Sequence, residues 1–249
     1  MHGQGYDSGV IGPGPHIVAA VALLLGLLAA TVEAQTPGNA TFRISHRGQP
    51  VGTAEATVAR SADGWRVTSR GQTDGRFQVS VPHFEAQYDP DWRPMFLTME
   101  VVSPGEHAIV HVAMVGTVTR TDIVIPNKEV FFGANDVPRD TIFLPDYVFG
   151  AWEALAGRLQ TAMPGSVISV FAVPEREVKA VLDRRDPATL QTPAGFQPAT
   201  RWRITVQRET PVVWELWVDG GRLLRLDLPD EGLSVVRGDI AGPLDRLLP

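Results

Sequence analysis

Not one cysteine occurs in the 249 residues. That absence excludes a disulfide framework, thiolate zinc sites, iron–sulfur clusters and a cysteine nucleophile. Lysine is nearly missing too: Lys128 and Lys179 stand against 20 arginines. There is no basic surplus, since the formal charge is −6 and the pI about 5.5. A nucleic-acid-binding surface is therefore not expected. No apolar run reaches the roughly 20 residues that a membrane-spanning helix needs. Glycine (24) and proline (20) follow no period of three, which excludes a collagen-like chain. What is present is a core-forming composition, 44% hydrophobic and 20% charged, unlike that of a disordered tail.

The longest uncharged apolar run is Ile17–Ala30, IVAAVALLLGLLAA. Its length is that of a signal-peptide h-region, and Val32-Glu33-Ala34 resembles an A-x-A cleavage site. Residues 1–34 are expected to be a leader and residues 35–249 one exported domain, periplasmic or extracellular. The leader is unusual, because Met1–His16 contains no Lys or Arg, whereas an n-region is normally basic. The alternative is a single uncleaved anchor. No lipobox is possible without cysteine. The domain is expected to be peripheral to a membrane at most.

Beyond the leader, alternation with period two dominates. Thr41–Arg47, Trp65–Arg70, Arg201–Gln207 and Val212–Val218 each place apolar residues on one face. Asp63-Gly64 and Asp219-Gly220-Gly221 sit between such runs as hairpin signals. About a dozen strands are expected. One segment differs: Val148, Phe149, Trp152, Leu155, Ala156 and Leu159 recur at spacings of three and four. This predicts an amphipathic helix after Pro145-Asp146, with Asp146 as N-cap and Pro164-Gly165 as its stop. The fold class is thus mainly β: a curved antiparallel sheet or half-barrel with one amphipathic helix packed on it.

Several strands are apolar on both faces. Ala108–Val115 carries Val110, Val112 and Met114 on one side and Ile109, Ala113 and Val115 on the other. Met95–Val102 and Val167–Val173 behave alike. An antiparallel sheet with a wet face should alternate, so both faces are expected to be covered. A helix of about fifteen residues, roughly 22 Å long at 1.5 Å per residue, cannot cover so many strands. Either the sheet curls and fills with side chains, or an apolar hollow remains for a ligand. The residues expected to line such a hollow are Val148, Phe149, Trp152, Leu155 and Trp214.

In their order, the elements resemble uncharacterised exported bacterial domains of unknown function. The resemblance rests on Ser45-His46-Arg47-Gly48-Gln49-Pro50-Val51-Gly52, on Asp91-Trp92-Arg93-Pro94, on the helix Leu144–Leu159 and on Val213-Trp214-Glu215-Leu216-Trp217-Val218-Asp219 with Arg222-Leu223-Leu224-Arg225-Leu226. The last of these is also similar to the ending of LolA/LolB-type lipoprotein carriers. That similarity implies an open half-barrel with a helical lid over an apolar concavity. It transfers no individual binding residue.

Catalytic signatures are thin. His107 and His111 share a strand face but lie about 13 Å apart at about 3.3 Å per residue, too far for one metal. G-x-S-x-G, Walker A, G-x-G-x-x-G and H-E-x-x-H patterns are all missing. No catalytic residue, metal ligand or cofactor is assigned. Three readings follow. One is a non-enzymatic envelope binding or carrier module for a lipid or acylated partner. Another is a structural or interaction domain with a fully packed sheet. The third is an envelope hydrolase, which would require His83, Asp89, Asp91 or Glu100 to converge on one pocket.

Overall fold

The computed structural model describes residues 35–241 apart from 76, 127, 129 and 175; the expected leader falls outside them. Eight strands come first, in an unbroken antiparallel meander: β1 (Gly38–His46), β2 (Gln49–Ser61), β3 (Gly64–Thr73), β4 (Val79–Tyr88), β5 (Pro94–Ser103), β6 (Glu106–Val115), β7 (Val118–Val124) and β8 (Val130–Asp136). The turn signals account for the tight connections. Ser61 pairs with Gly64 around the expected hairpin, where Gly64 takes φ 142°, a conformation open to glycine. Asp89 accepts the backbone N–H groups of Asp91 and Arg93, which fixes the turn between β4 and β5.

The chain then crosses to the opposite edge and forms β9 (Ile142–Phe143), parallel to β10 (Val167–Ala172). From there it meanders back through β11 (Arg176–Thr192), β12 (Gly195–Gln207), β13 (Val212–Asp219), β14 (Arg222–Leu228) and β15 (Leu233–Arg237). β15 pairs with β1, so the first and last strands meet inside one fifteen-stranded sheet. The sheet is curved and open, with β8 and β9 as its edges. A last short helix, Gly238–Ala241, follows β15.

This topology explains where the helix lies. The crossover from β8 to β10 must span the sheet, and it does so over the inner face. It contributes a 3-10 turn, Phe149–Ala151, and then helix α1 (Trp152–Leu159). Gly150 lies against Ser69, and Gly157 lies against the Trp92 ring; a Cβ at either position would overlap its neighbour. These glycines let the helix backbone settle close to the strands.

The helix is shorter than its periodicity predicts. Tyr147 has φ 60°, a left-handed conformation that a right-handed helix cannot contain. The amide of Val148 donates to the carbonyl of Pro145 in a turn. Asp146 therefore does not cap α1, whose N-cap is Ala151 without a side-chain hydrogen bond.

The inner face holds one continuous core. Phe42, Phe84, Tyr88, Phe143, Phe171 and Trp202 are each at most 1% exposed. Trp65 stacks on Trp92 at 5.1 Å, and Tyr88 meets the same indole at 5.4 Å; such pairs add about 0.5–1.5 kcal/mol beyond burial. The outer face is covered only in places. In β10, Ile168, Ser169, Val170 and Phe171 are all buried, so both faces are covered as expected. β6 differs: Val110 and Val112 are buried, but His111, Ala113 and Val115 are exposed. Its second apolar side meets no covering element among the described residues.

Two features escaped the periodicity. β8 reads VFFGAND, without alternation. The β11–β12 hairpin runs past its neighbours as a two-stranded arm, with Pro187 opposite Thr200 and Thr189 opposite Pro198. Its Leu190 packs on Leu224 and on Ile240 of helix α2 (Gly238–Ala241), forming a small second core.

Candidate functional site

Helix α1, the 3-10 turn before it with its cap Val148, and strand β13 bring the five sequence-predicted lining residues into the inner core. Val148, Phe149, Trp152, Leu155 and Trp214 are between 0% and 6% exposed. Trp152 meets Trp214 edge-on, with centroids 4.7 Å apart. Three of the five, Phe149, Trp152 and Trp214, line a recess of about 120 Å³. That volume compares with the roughly 150 Å³ of a cavity that takes benzene. Ligand pockets usually measure about 300–1,000 Å³. That recess has room for a small ring, not for an acyl chain.

The wall of this recess also carries Asp146, Arg208 and Glu231. Desolvation at the wall pushes the Glu231 carboxyl above the usual carboxylate range, and the charge of Asp146 adds to this. Arg208 pulls in the other direction.

The larger space is on the outer face. Where the arm tip leans over the sheet, Thr189, Leu190 and Gln191 face β1, β2, β14 and β15 across a recess of about 850 Å³. Val51, Val236, Ile240 and Leu190 supply its apolar lining, and Arg43 and Arg225 its positive charge. Arg225 is already engaged, by Asp227 at 2.8 Å and by the Trp217 ring at 5.0 Å. Arg43 is not. Its Nη1 is buried and has no hydrogen-bond partner among the described residues. A buried donor without an acceptor is costly, more so when it carries charge. Along β1, Arg43 alternates with the buried Phe42 and Ile44, the pattern of a solvated strand face. Only the arm, which supplies the opposing wall, sets it apart.

The residues required for a hydrolase do not converge. His83 is opposite Glu100, and His107 Nε2 donates to Glu100 Oε1 at 2.8 Å. Asp89 and Asp91 sit in the β4–β5 turn, paired with Arg93. Among the described residues, no group of His, Asp and Glu is placed to hold a metal ion.

No family model and no curated protein matches this sequence. Solved structures similar to it include the following two. One is a β-barrel-like protein of the domain of unknown function DUF1849 from Brucella abortus. It is 11% identical, with a TM-score of 0.49 over 82% of this chain and 95% of that one. The other is a DUF1089 family protein from Pseudomonas aeruginosa. It is 16% identical, with a TM-score of 0.44 over 72% and 90% of the two chains. Neither brings an activity to this chain.

Proposed function

We propose that this protein is a non-enzymatic, exported binding or carrier module of the bacterial cell envelope. Its ligand is an acyl chain with an anionic head, supplied by a lipid or by an acylated partner. The binding place is the outer recess under the β11–β12 arm, not the packed inner face.

The observation that carries this reading is the unpartnered Arg43 guanidinium nitrogen beside an apolar lining. A carboxylate or phosphate oxygen entering the recess would pair with the Arg43 guanidinium on its wall in a charge-assisted hydrogen bond. Val51, Leu190, Val236 and Ile240 would cover the chain. The volume of about 850 Å³ is within the usual range for such ligands. The leader-like Ile17–Ala30 supports the compartment.

The test is titration of delipidated protein with a dansyl-labelled fatty acid. Saturable binding is expected, weakened about tenfold in Arg43→Gln and also weakened in Val236→Asp. No saturable uptake, or affinity unchanged in both variants, would overturn the reading. The packed inner face favours a second reading, a structural or interaction domain. Under it, native mass spectra of envelope-purified protein would show no bound lipid.

A further inference from the structure

The two edges of the sheet are treated very differently. β9 is two residues long, and both Ile142 and Phe143 are fully buried. This is how natural sheets hide an edge. β8 is the opposite case. It runs seven residues against β7 without a register shift, and no further strand pairs with it among the described residues. Val130, Phe131 and Phe132 are 42%, 53% and 77% exposed. The strand has no proline, no bulge and no charge before Asp136. Among the described residues, proline, a bulge and a covering strand, the usual protection of a natural edge, are missing from it.

An open edge presents a row of backbone N–H and C=O groups, so its natural occupant is another strand. The residues of β8 complement themselves. Antiparallel pairing of two copies about Phe132 sets Phe132 opposite Phe132 on the outer face. Phe131 then faces Gly133 of the other copy, where the missing side chain leaves room for the ring. In the same register Val130 faces Ala134 of the other copy, and Asp136, the one charge of β8, meets no like charge of β8. We propose that β8 is a dimerisation edge through which two copies of this chain join their sheets into one, about a two-fold axis at Phe132. Closed two-fold pairing of this kind uses up the edge and leaves none for further growth.

The test uses the full chain. Sedimentation velocity is expected to show a particle of two chains, each of 27.0 kDa. Phe132→Lys should raise the dissociation constant about tenfold or more. Circular dichroism and the thermal midpoint of the monomer should stay the same, because the side chain is solvent-exposed. The cysteine-free sequence permits a second, independent measurement. In the proposed register Phe132→Cys sets two thiols directly opposite each other. Such residues have Cα atoms about 4.5–5.5 Å apart, a span a disulfide can bridge. Mild oxidation should give a covalent dimer. Met163→Cys, equally exposed at 72% but outside the sheet, should not. Three results would overturn the proposal: a monomer at all concentrations, a dimer indifferent to Phe132→Lys, or equal cross-linking at both positions. A monomer whose β8 instead captures an unrelated extended peptide would also overturn it.

Discussion

Glu153 of helix α1 and Arg222 of strand β14 form a bidentate ion pair in the interior. Arg222 Nη2 is 3.0 Å from Oε1 and its Nε is 3.1 Å from Oε2, with the side chains 9% and 0% exposed. The amide of Leu223 also donates to Oε2, and Arg222 Nη1 donates to the carbonyl of Thr36. One carboxylate and one guanidinium thus clasp the crossover helix, the returning half of the sheet and the segment entering β1. Such a pair adds little net stability over a well-packed apolar replacement, but half of it is strongly destabilising.

Replacing Glu153 by Ala should therefore lower unfolding free energy by about 3–5 kcal/mol, read by urea denaturation. The double variant Glu153→Leu with Arg222→Met should recover much of that loss. A single variant as stable as the parent would show that the pair is not desolvated.

Tyr88 is 1% exposed, and its hydroxyl has no partner among the described residues. Tyr88→Phe should leave stability equal or raise it by about 1 kcal/mol, since an orphaned donor is removed. Burial also pushes the phenol well above its ordinary pKa. Above about pH 10 an unfolded tyrosine loses its proton while the folded one keeps it, so stability falls as pH rises there. Ultraviolet titration should show one of the three tyrosines ionising only as the protein unfolds.

Gly157→Ala should lower stability by about 1–3 kcal/mol through overpacking against Trp92. Quenching or a shift of tryptophan fluorescence would report the displaced ring. An unchanged spectrum with unchanged melting would mean that the helix sits further from the strands.

Glu231 gives a slope of known sign. Its carboxyl is raised chiefly by desolvation and then by Asp146. Between the ordinary glutamate range and that raised value, the folded chain binds more protons than the unfolded chain. Stability therefore falls as pH rises through this window. Glu231→Gln should flatten this slope in thermal melts across the acid range.

The arm should detach before the sheet unfolds. Leu190→Asp breaks its contact with Leu224 and Ile240. Hydrogen exchange should then quicken across the paired residues from Pro187 to Thr200, while the inner core stays protected. Dansyl fatty acid binding should fall with it. Retained binding would place the ligand elsewhere.

Much of the strand pattern was legible in the sequence. Alternation marked β1, β3, β12 and β13, and the Asp-Gly and Gly-Gly turns marked their hairpins, because a half-buried strand must alternate and a tight turn needs special residues. β8 and the arm were not legible. Their residues are arranged by what they pair with, and neither alternates. The short helix had the right face but the wrong start, since a left-handed Tyr147 leaves no trace in hydrophobic spacing.

The candidate site divides in the same way. Periodicity by itself determined that Trp152, Leu155 and Phe149 are turned toward apolar surroundings. It could not determine whether those surroundings are a hollow or a packed core, because both bury the same residues. The tertiary structure decided that, by laying the crossover on the inner face and filling it. It also created the larger recess elsewhere, by folding a distant arm over Arg43. A pocket is a relation between segments far apart in the chain, and only the fold brings them within reach.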